Sequence, residues 1–198
     1  MTRIVADISV SIDGFVTGPN VSPTNGMGDG GMALHAWAFG DDPDDQRMLT
    51  EGMERSGAVM MGRTLLDIID GPDGWSDEVG YGAEEVGRPP FLVLTSSTPQ
   101  SLRLKELDWT FVTTGLPDAI DAARERAGGK DVVLMGGGQI IRSAVEAGLI
   151  DVLVLHLAPV ILGSGTPLFT GGAPRTYVQK EVVATPNATH LVYEVSRA

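Results

Sequence analysis

Three stretches of the chain combine glycine, arginine and hydroxyl side chains at points where an apolar run ends. Gly136-Gly137-Gly138 follows Val132 to Met135 and precedes Gln139 to Ala147. In that last segment Ile140, Ile141, Ala144 and Val145 fall on one helical face. Gly62-Arg63-Thr64 follows Ala58 to Met61, and Thr95-Ser96-Ser97 follows Pro90 to Leu94. Glycine lets backbone approach a ligand closely, and a helix that starts there leaves its first N–H groups unbonded. The Gly136–Gly138 corner therefore suits an anion, a diphosphate above all. Arginine offers phosphate a planar fork. Hydroxyls at the C-terminal end of a strand can bond phosphate or ribose in the crevice of an open sheet. Taken singly, the glycines are equally a bare turn and Arg63 equally a surface ion pair. At the ends of parallel strands all three corners would share one edge of the sheet and form a nucleotide groove. The spacing is not the Gly-x-Gly-x-x-Gly dinucleotide fingerprint.

Other candidates are carboxylate, imidazole and indole groups. Asp41-Asp42-Pro43-Asp44-Asp45 opens a helix that runs to about Arg55. Asp before Pro caps such a helix, and acids suit its first turn. Capping uses one or two of the four acids, so a carboxylate there either faces a ligand or is simply solvated. His156 ends the apolar strand Leu149 to Ala158 and shares a face with Val152 and Val154, either as a satisfied structural residue or as a ligand contact. Trp37, with Met32, Leu34 and Phe39, lies in a segment without clear period and covers either a flat ligand or the edge of the core. Trp75 follows the turn-rich Asp70-Gly-Pro-Asp-Gly and looks exposed; Trp37 and Trp75 are the candidate substrate contacts. Asp13 reads as the turn residue of Asp13-Gly14, and His35 as a loop side chain.

The elements that must position these groups alternate. Strands are expected at Arg3–Ile12, Ala58–Met61, Pro90–Leu94, Trp109–Thr113, Val132–Met135 and Leu149–Ala158. Helices follow the second and fifth, a third begins at Pro117, and Tyr177–Val183 with His190–Val195 form a closing hairpin. Alternation of this kind implies an α/β fold. Its central sheet, of about eight strands, is mostly parallel, with helices on both faces and an antiparallel C-terminal hairpin. Residues 17–47 form a long loop of the kind that carries function.

The 198 residues fit a single domain, 1–198. A net charge of −12, from 14 basic and 26 acidic residues, argues against nucleic acid and anionic membrane as partners. Without cysteine there is no disulfide, thiolate catalysis or zinc-thiolate site. The three histidines lack metal-ligand spacing. No signal segment or spanning apolar run is seen, so a cytoplasmic location is expected.

Five ordered segments resemble the dihydrofolate-reductase-like superfamily, specifically the C-terminal reductase domain of riboflavin-biosynthesis enzymes and its stand-alone relatives. They are Ser9–Gly14, Val59–Thr64, Leu94–Ser97, Val133–Gln139 and Ile150–Gly163. The resemblance implies a three-layer fold and NADPH as hydride donor to a small flat pterin- or pyrimidine-like substrate. It implies that Arg63, Thr64 and Ser96 hold the 2′-phosphate side, with Gly62 and Thr95 beside them. Gly136, Gly137, Gly138, Gln139 and Ile140 would meet the diphosphate, and Ser9, Val10 and Val16 would line the nicotinamide. Residues 17–42 would be a lid. By the same likeness Asp45 orients substrate or relays a proton, with His156 as second candidate, and two copies pair through the late strands. Asp7 and Phe15 stand where the riboflavin-pathway domains carry lysines for a ribose phosphate, which argues against a phosphorylated substrate. The alternatives are a dihydrofolate reductase proper and a catalytically silent nucleotide-binding dimer.

Overall fold

The apolar run Ile4–Ser11 (β1) is the centre of the molecule. In the computed structural model, which describes residues 1–76 and 88–195, β1 is flanked by parallel strands on both sides. The other strands of this sheet are Ser56–Gly62 (β3), Phe91–Leu94 (β4), Trp109–Val112 (β5), Asp131–Met135 (β6) and Val152–Ala158 (β7). Tyr177–Ala184 (β9) and Thr189–Val195 (β10) complete it. The eight strands stand in the order β5-β4-β3-β6-β1-β7-β10-β9. All pairings from β5 to β7 are parallel; β10 runs antiparallel to β7 and to β9. Two short strands, Phe15–Thr17 (β2) and Thr166–Pro167 (β8), pair separately. The sequence suggests that Phe15-Val16 briefly resumes the first strand after the Asp13-Gly14 bend, but it reads Gly163–Pro167 as a loop, since Thr166–Pro167 is too short to show a period.

Among the described residues four α-helices connect the strands: Pro43–Arg55 (α1), Arg63–Ile69 (α2), Leu116–Arg126 (α3) and Gly138–Glu146 (α4). The Asp42 carboxylate caps α1, accepting from the amides of Asp44 and Asp45 at 3.0 and 3.2 Å. Strand alternation divides the interior. Ile4, Ala6, Ile8 and Val10 of β1 pack with Ile120 of α3 and Ile140, Ile141 and Ala144 of α4 in the main core. The other face of β1 carries Val5, Asp7, Ser9 and Ser11, and lies under α1. Further along that face, Val59 and Met61 of β3 pack with Leu66 and Ile69 of α2. Helices thus cover both faces, as expected. Among the described residues no helix is long and apolar enough to cross a membrane.

The loop expected as a patternless lid is laced together. Asp29 accepts from the amides of Asn20 and Asn25 at 2.7 and 2.9 Å. The backbone joins Gly18 to Met27 and Asp29 to Pro19, both at 2.8 Å. A Cβ on Gly18 would stand 1.9 Å from the Asp29 carbonyl oxygen, so only glycine permits this approach. Met32 and Phe39 stay exposed, whereas Leu34 and Trp37 are buried.

Candidate active site

Parallel strands point their C-terminal ends one way, so the corners that follow β3, β4 and β6 share a rim. Gly62 pairs in register with Leu94, and Met60 with Leu134, two residues short of the corners on β3 and β6. Arg63 joins two corners directly. Its Nη1 donates to the Ser97 carbonyl at 3.3 Å, and its Nε holds Asp67 at 2.7 Å. Its side chain remains 40% exposed, so the fork borders solvent. Thr64 and Ser96 are exposed beside it. Thr95 is buried, and its hydroxyl donates to the Ser97 carbonyl at 3.0 Å; it shapes the turn rather than presenting a free donor.

The glycine corner stands next along the rim. Gly136 and Gly137 have φ of 63° and 79°, values that L side chains resist. Leu65 of α2 lies 3.6 Å from where a Gly136 Cβ would be, and a Gly138 Cβ would meet the Val16 side chain at 2.8 Å. These contacts bring α2 and β2 against the start of α4. No side chain caps that start, so the amides of Gly138 and Gln139 have no acceptor within the helix. Ile140 is different. Its amide bonds the Gly137 carbonyl at 3.1 Å and its side chain is buried in the main core, so it belongs to the interior and not to the anion cradle.

Ser9, Val10 and Val16 do not line one surface. Alternation sends Val10 into the main core, where Val16 joins it. Ser9 faces the other way and accepts the Trp37 indole N–H at 3.0 Å. Trp37 therefore seals the core edge, with its ring 4.1 Å from that of His156, and offers no free face to substrate. Trp75 also departs from expectation. It packs on Phe91 at 5.7 Å in the satellite core, and its carbonyl accepts from Arg103. Phe91 begins β4, at the end away from the rim, three positions before Leu94.

The two expected catalytic groups are brought together, but by residues that sequence reasoning missed. On the α1 side of the sheet, His156 Nε2 meets Asp7 Oδ1 at 2.9 Å, and its Nδ1 meets Nδ1 of His190 at 2.6 Å. His190 Nε2 meets Asp45 Oδ1 at 2.7 Å. Register places these groups: Ser9 pairs with His156, and His156 with His190. Asp45 also accepts from the Thr185 hydroxyl and the Asn187 amide, both at 2.8 Å. Asp45 and His190 are fully buried and His156 nearly so, so Asp45 cannot orient a substrate by contact. Asp7 alone opens outward, with 26% of its side chain exposed. It pairs with Met135, the residue before the glycine corner.

The electrostatics follow from these bonds. Burial would raise the Asp7 carboxyl, but the charge and hydrogen bond of His156 outweigh it and hold the group below the usual range, with Arg55 contributing. Burial would likewise raise Asp45, and the donors Asn187, His190 and Thr185 outweigh it. Burial pushes His190 down, against the pull of Asp45. Asp13 is a turn residue, as expected: it accepts from the Ser11 hydroxyl at 2.6 Å and from the amides of Leu162 and Gly163 at 3.1 and 2.7 Å. No group of three or more His, Asp or Glu able to hold a metal occurs among the described residues.

Comparison with known proteins agrees with this architecture. The uncharacterized protein YyaP of Bacillus subtilis (strain 168) is 26% identical over 172 residues, 84% of this chain and 80% of its own length. The crystal structure of a putative riboflavin biosynthesis protein from Shewanella sp. PV-4 matches with a TM-score of 0.70 at 21% identity, over 99% of this chain and 100% of that one. Dihydrofolate reductase from Enterococcus faecalis, solved with NADP(H), matches with a TM-score of 0.62 at 13% identity, over 98% and 97% of the two chains. At these identities the structures share a fold, the dihydrofolate-reductase-like α/β fold. The family described as the RibD C-terminal domain matches residues 2–191, nearly the whole sequence, and the chain belongs to that family.

Proposed function

We propose that the protein is an NADPH-dependent reductase that transfers a hydride to a small, flat heterocyclic or conjugated substrate, pterin- or pyrimidine-like. The observation that carries this is the shared rim, where Arg63 reaches from the β3 corner to the β4 corner and the uncapped start of α4 stands alongside. The donor set suits a dinucleotide. Arg63, with Thr64 and Ser96, would take the 2′-phosphate, and the Gly138 and Gln139 amides the diphosphate. The backbone of β1 and β2 beside the glycine corner would border the nicotinamide end. NADPH bound there supplies the hydride. The protein orients the two reactants and excludes water: on the α1 side Trp37 covers Ser9 and His156, and Asp7 is the polar group left open to the substrate there. A carboxylate in place of the expected lysine favours an unphosphorylated substrate carrying N–H donors.

Titration with NADPH, followed by fluorescence and thermal shift, tests the proposal. Saturable binding with a raised Tm is expected. A folded sample that binds nothing at millimolar NADPH refutes it.

A further inference from the structure

The line Asp7–His156–His190–Asp45 has three links, of 2.9, 2.6 and 2.7 Å. Each link needs one hydrogen. Two ionised carboxylates and two neutral imidazoles bring only two. If each ring donates its hydrogen to its own carboxylate, the two Nδ1 atoms meet lone pair to lone pair at 2.6 Å. The geometry therefore demands a third proton, between the rings. Trp37 indicates which ring carries the charge. Its ring lies 4.1 Å from that of His156 at 30°, but stands across His190 at 77°, and an aromatic face favours a cation.

We infer that His156 is held as an imidazolium whose Nε2 proton passes through Asp7 to the substrate, making this buried pair the acid that complements hydride transfer. The inference rests on the reductase proposal above. His190 and Asp45 are positioning residues. Asp45 fixes the His190 Nε2–H, so that His190 Nδ1 can only accept from His156, and the one labile proton is then the one facing Asp7. In the transfer, the His156 Nε2–H bond breaks as an Asp7 O–H bond forms. That O–H bond breaks in turn as an N–H or C–H bond forms on the substrate. Hydride and proton together saturate one double bond of the substrate. The pair, net neutral before the transfer, is left with the negative charge of Asp7 beside a neutral His156 whose Nδ1–H still donates to His190, and Nε2 regains a proton from water through Asp7. Two further groups face the pair: Arg55 of α1, which acts on Asp7, and His35, half-buried, whose Nδ1 is enclosed and unpartnered and which is lowered by burial and by His156.

Imidazole nitrogen and proton NMR of the nucleotide-free protein tests this. Three ring protons are expected on His156 and His190, including one strongly downfield Nδ1 resonance. Only two, both on Nε2, would overturn the inference. Hydrogen exchange tests the outlet: the His156 Nε2–H should exchange at least about tenfold faster than that of His190, and Asp7→Asn should slow it at least about tenfold, within the range carboxylate acid–base catalysis provides. Equal exchange at the two rings, or none of this slowing in a folded Asp7→Asn protein, would overturn it. Neither measurement uses nucleotide, so a failure here is distinct from a failure of the NADPH titration.

Discussion

Replacing Arg63 by alanine separates a nucleotide-binding rim from a merely polar one. The guanidinium is 40% exposed, and its partner Asp67 is 48% exposed one turn away. Exposed pairs at this spacing contribute about 0.3–0.5 kcal/mol, so the fold should survive with a Tm lowered by about 1–2 °C. Binding should suffer much more. A hydrogen bond to a charged group is worth about 1.5–3 kcal/mol, and each 1.4 kcal/mol is tenfold in affinity. NADPH should therefore bind about 10- to 150-fold more weakly to Arg63→Ala. Asp67, left unpaired at the same corner, pushes the loss toward the upper figure. NADH has no 2′-phosphate and should change little. The assay is a fluorescence titration of both nucleotides on both proteins at one low ionic strength, since salt screens the exposed charge. Equal losses for NADPH and NADH would refute the assignment of Arg63, and an unchanged NADPH affinity would refute the rim as its binding site.

Two further outcomes follow from the buried network. Asp45→Ala strands the donors of His190, Thr185 and Asn187 and should cost about 1–3 kcal/mol for each buried donor left without an acceptor; urea unfolding measures it, and a total loss below about 1 kcal/mol would mean that the network bears little of the stability. The native carboxyls of Asp7 and Asp45 lie below their ordinary value of 3.8, so the unfolded chain binds more protons in the interval between. Their contribution is complete above pH 3.8 and drains away as pH falls through the lowered native values. Urea midpoints taken at descending pH should show this decline, with a weaker decline in Asp45→Ala; parallel curves for the two proteins would refute it.

The rim was legible in the sequence because its chemistry is local. Glycine clusters after apolar runs encode positive φ and close approach, and a mostly parallel sheet follows from alternating strands and helices. The fold class came through for the same reason, with helix ends displaced by a residue or so. The polar network was not legible, because its links join residues 149, 34 and 145 positions apart. His190 looked like any strand histidine until register set it opposite His156. Asp7 did leave a signal: it is an acid on the strand face that also carries Val5 and Ser9, where a buried strand should be apolar. Trp75 misled because Gly-Pro-Asp-Gly promised exposure, whereas Arg103 bonds the carbonyls of Ile69, Asp70 and Trp75 and folds that turn back over Phe91.

The antiparallel docking of β10 on β7 has a consequence for how the molecule is made. Until residues 185–195 emerge and add themselves to the sheet, β7 is an open edge and Asp45 faces water instead of Thr185, Asn187 and His190. Contacts this distant in sequence close late, after the entropy of a long loop has been overcome. The acid-and-imidazole interior is thus sealed by residues 185–195, and a nascent chain that stopped short of them would carry all three corners of the rim with no closed interior behind it.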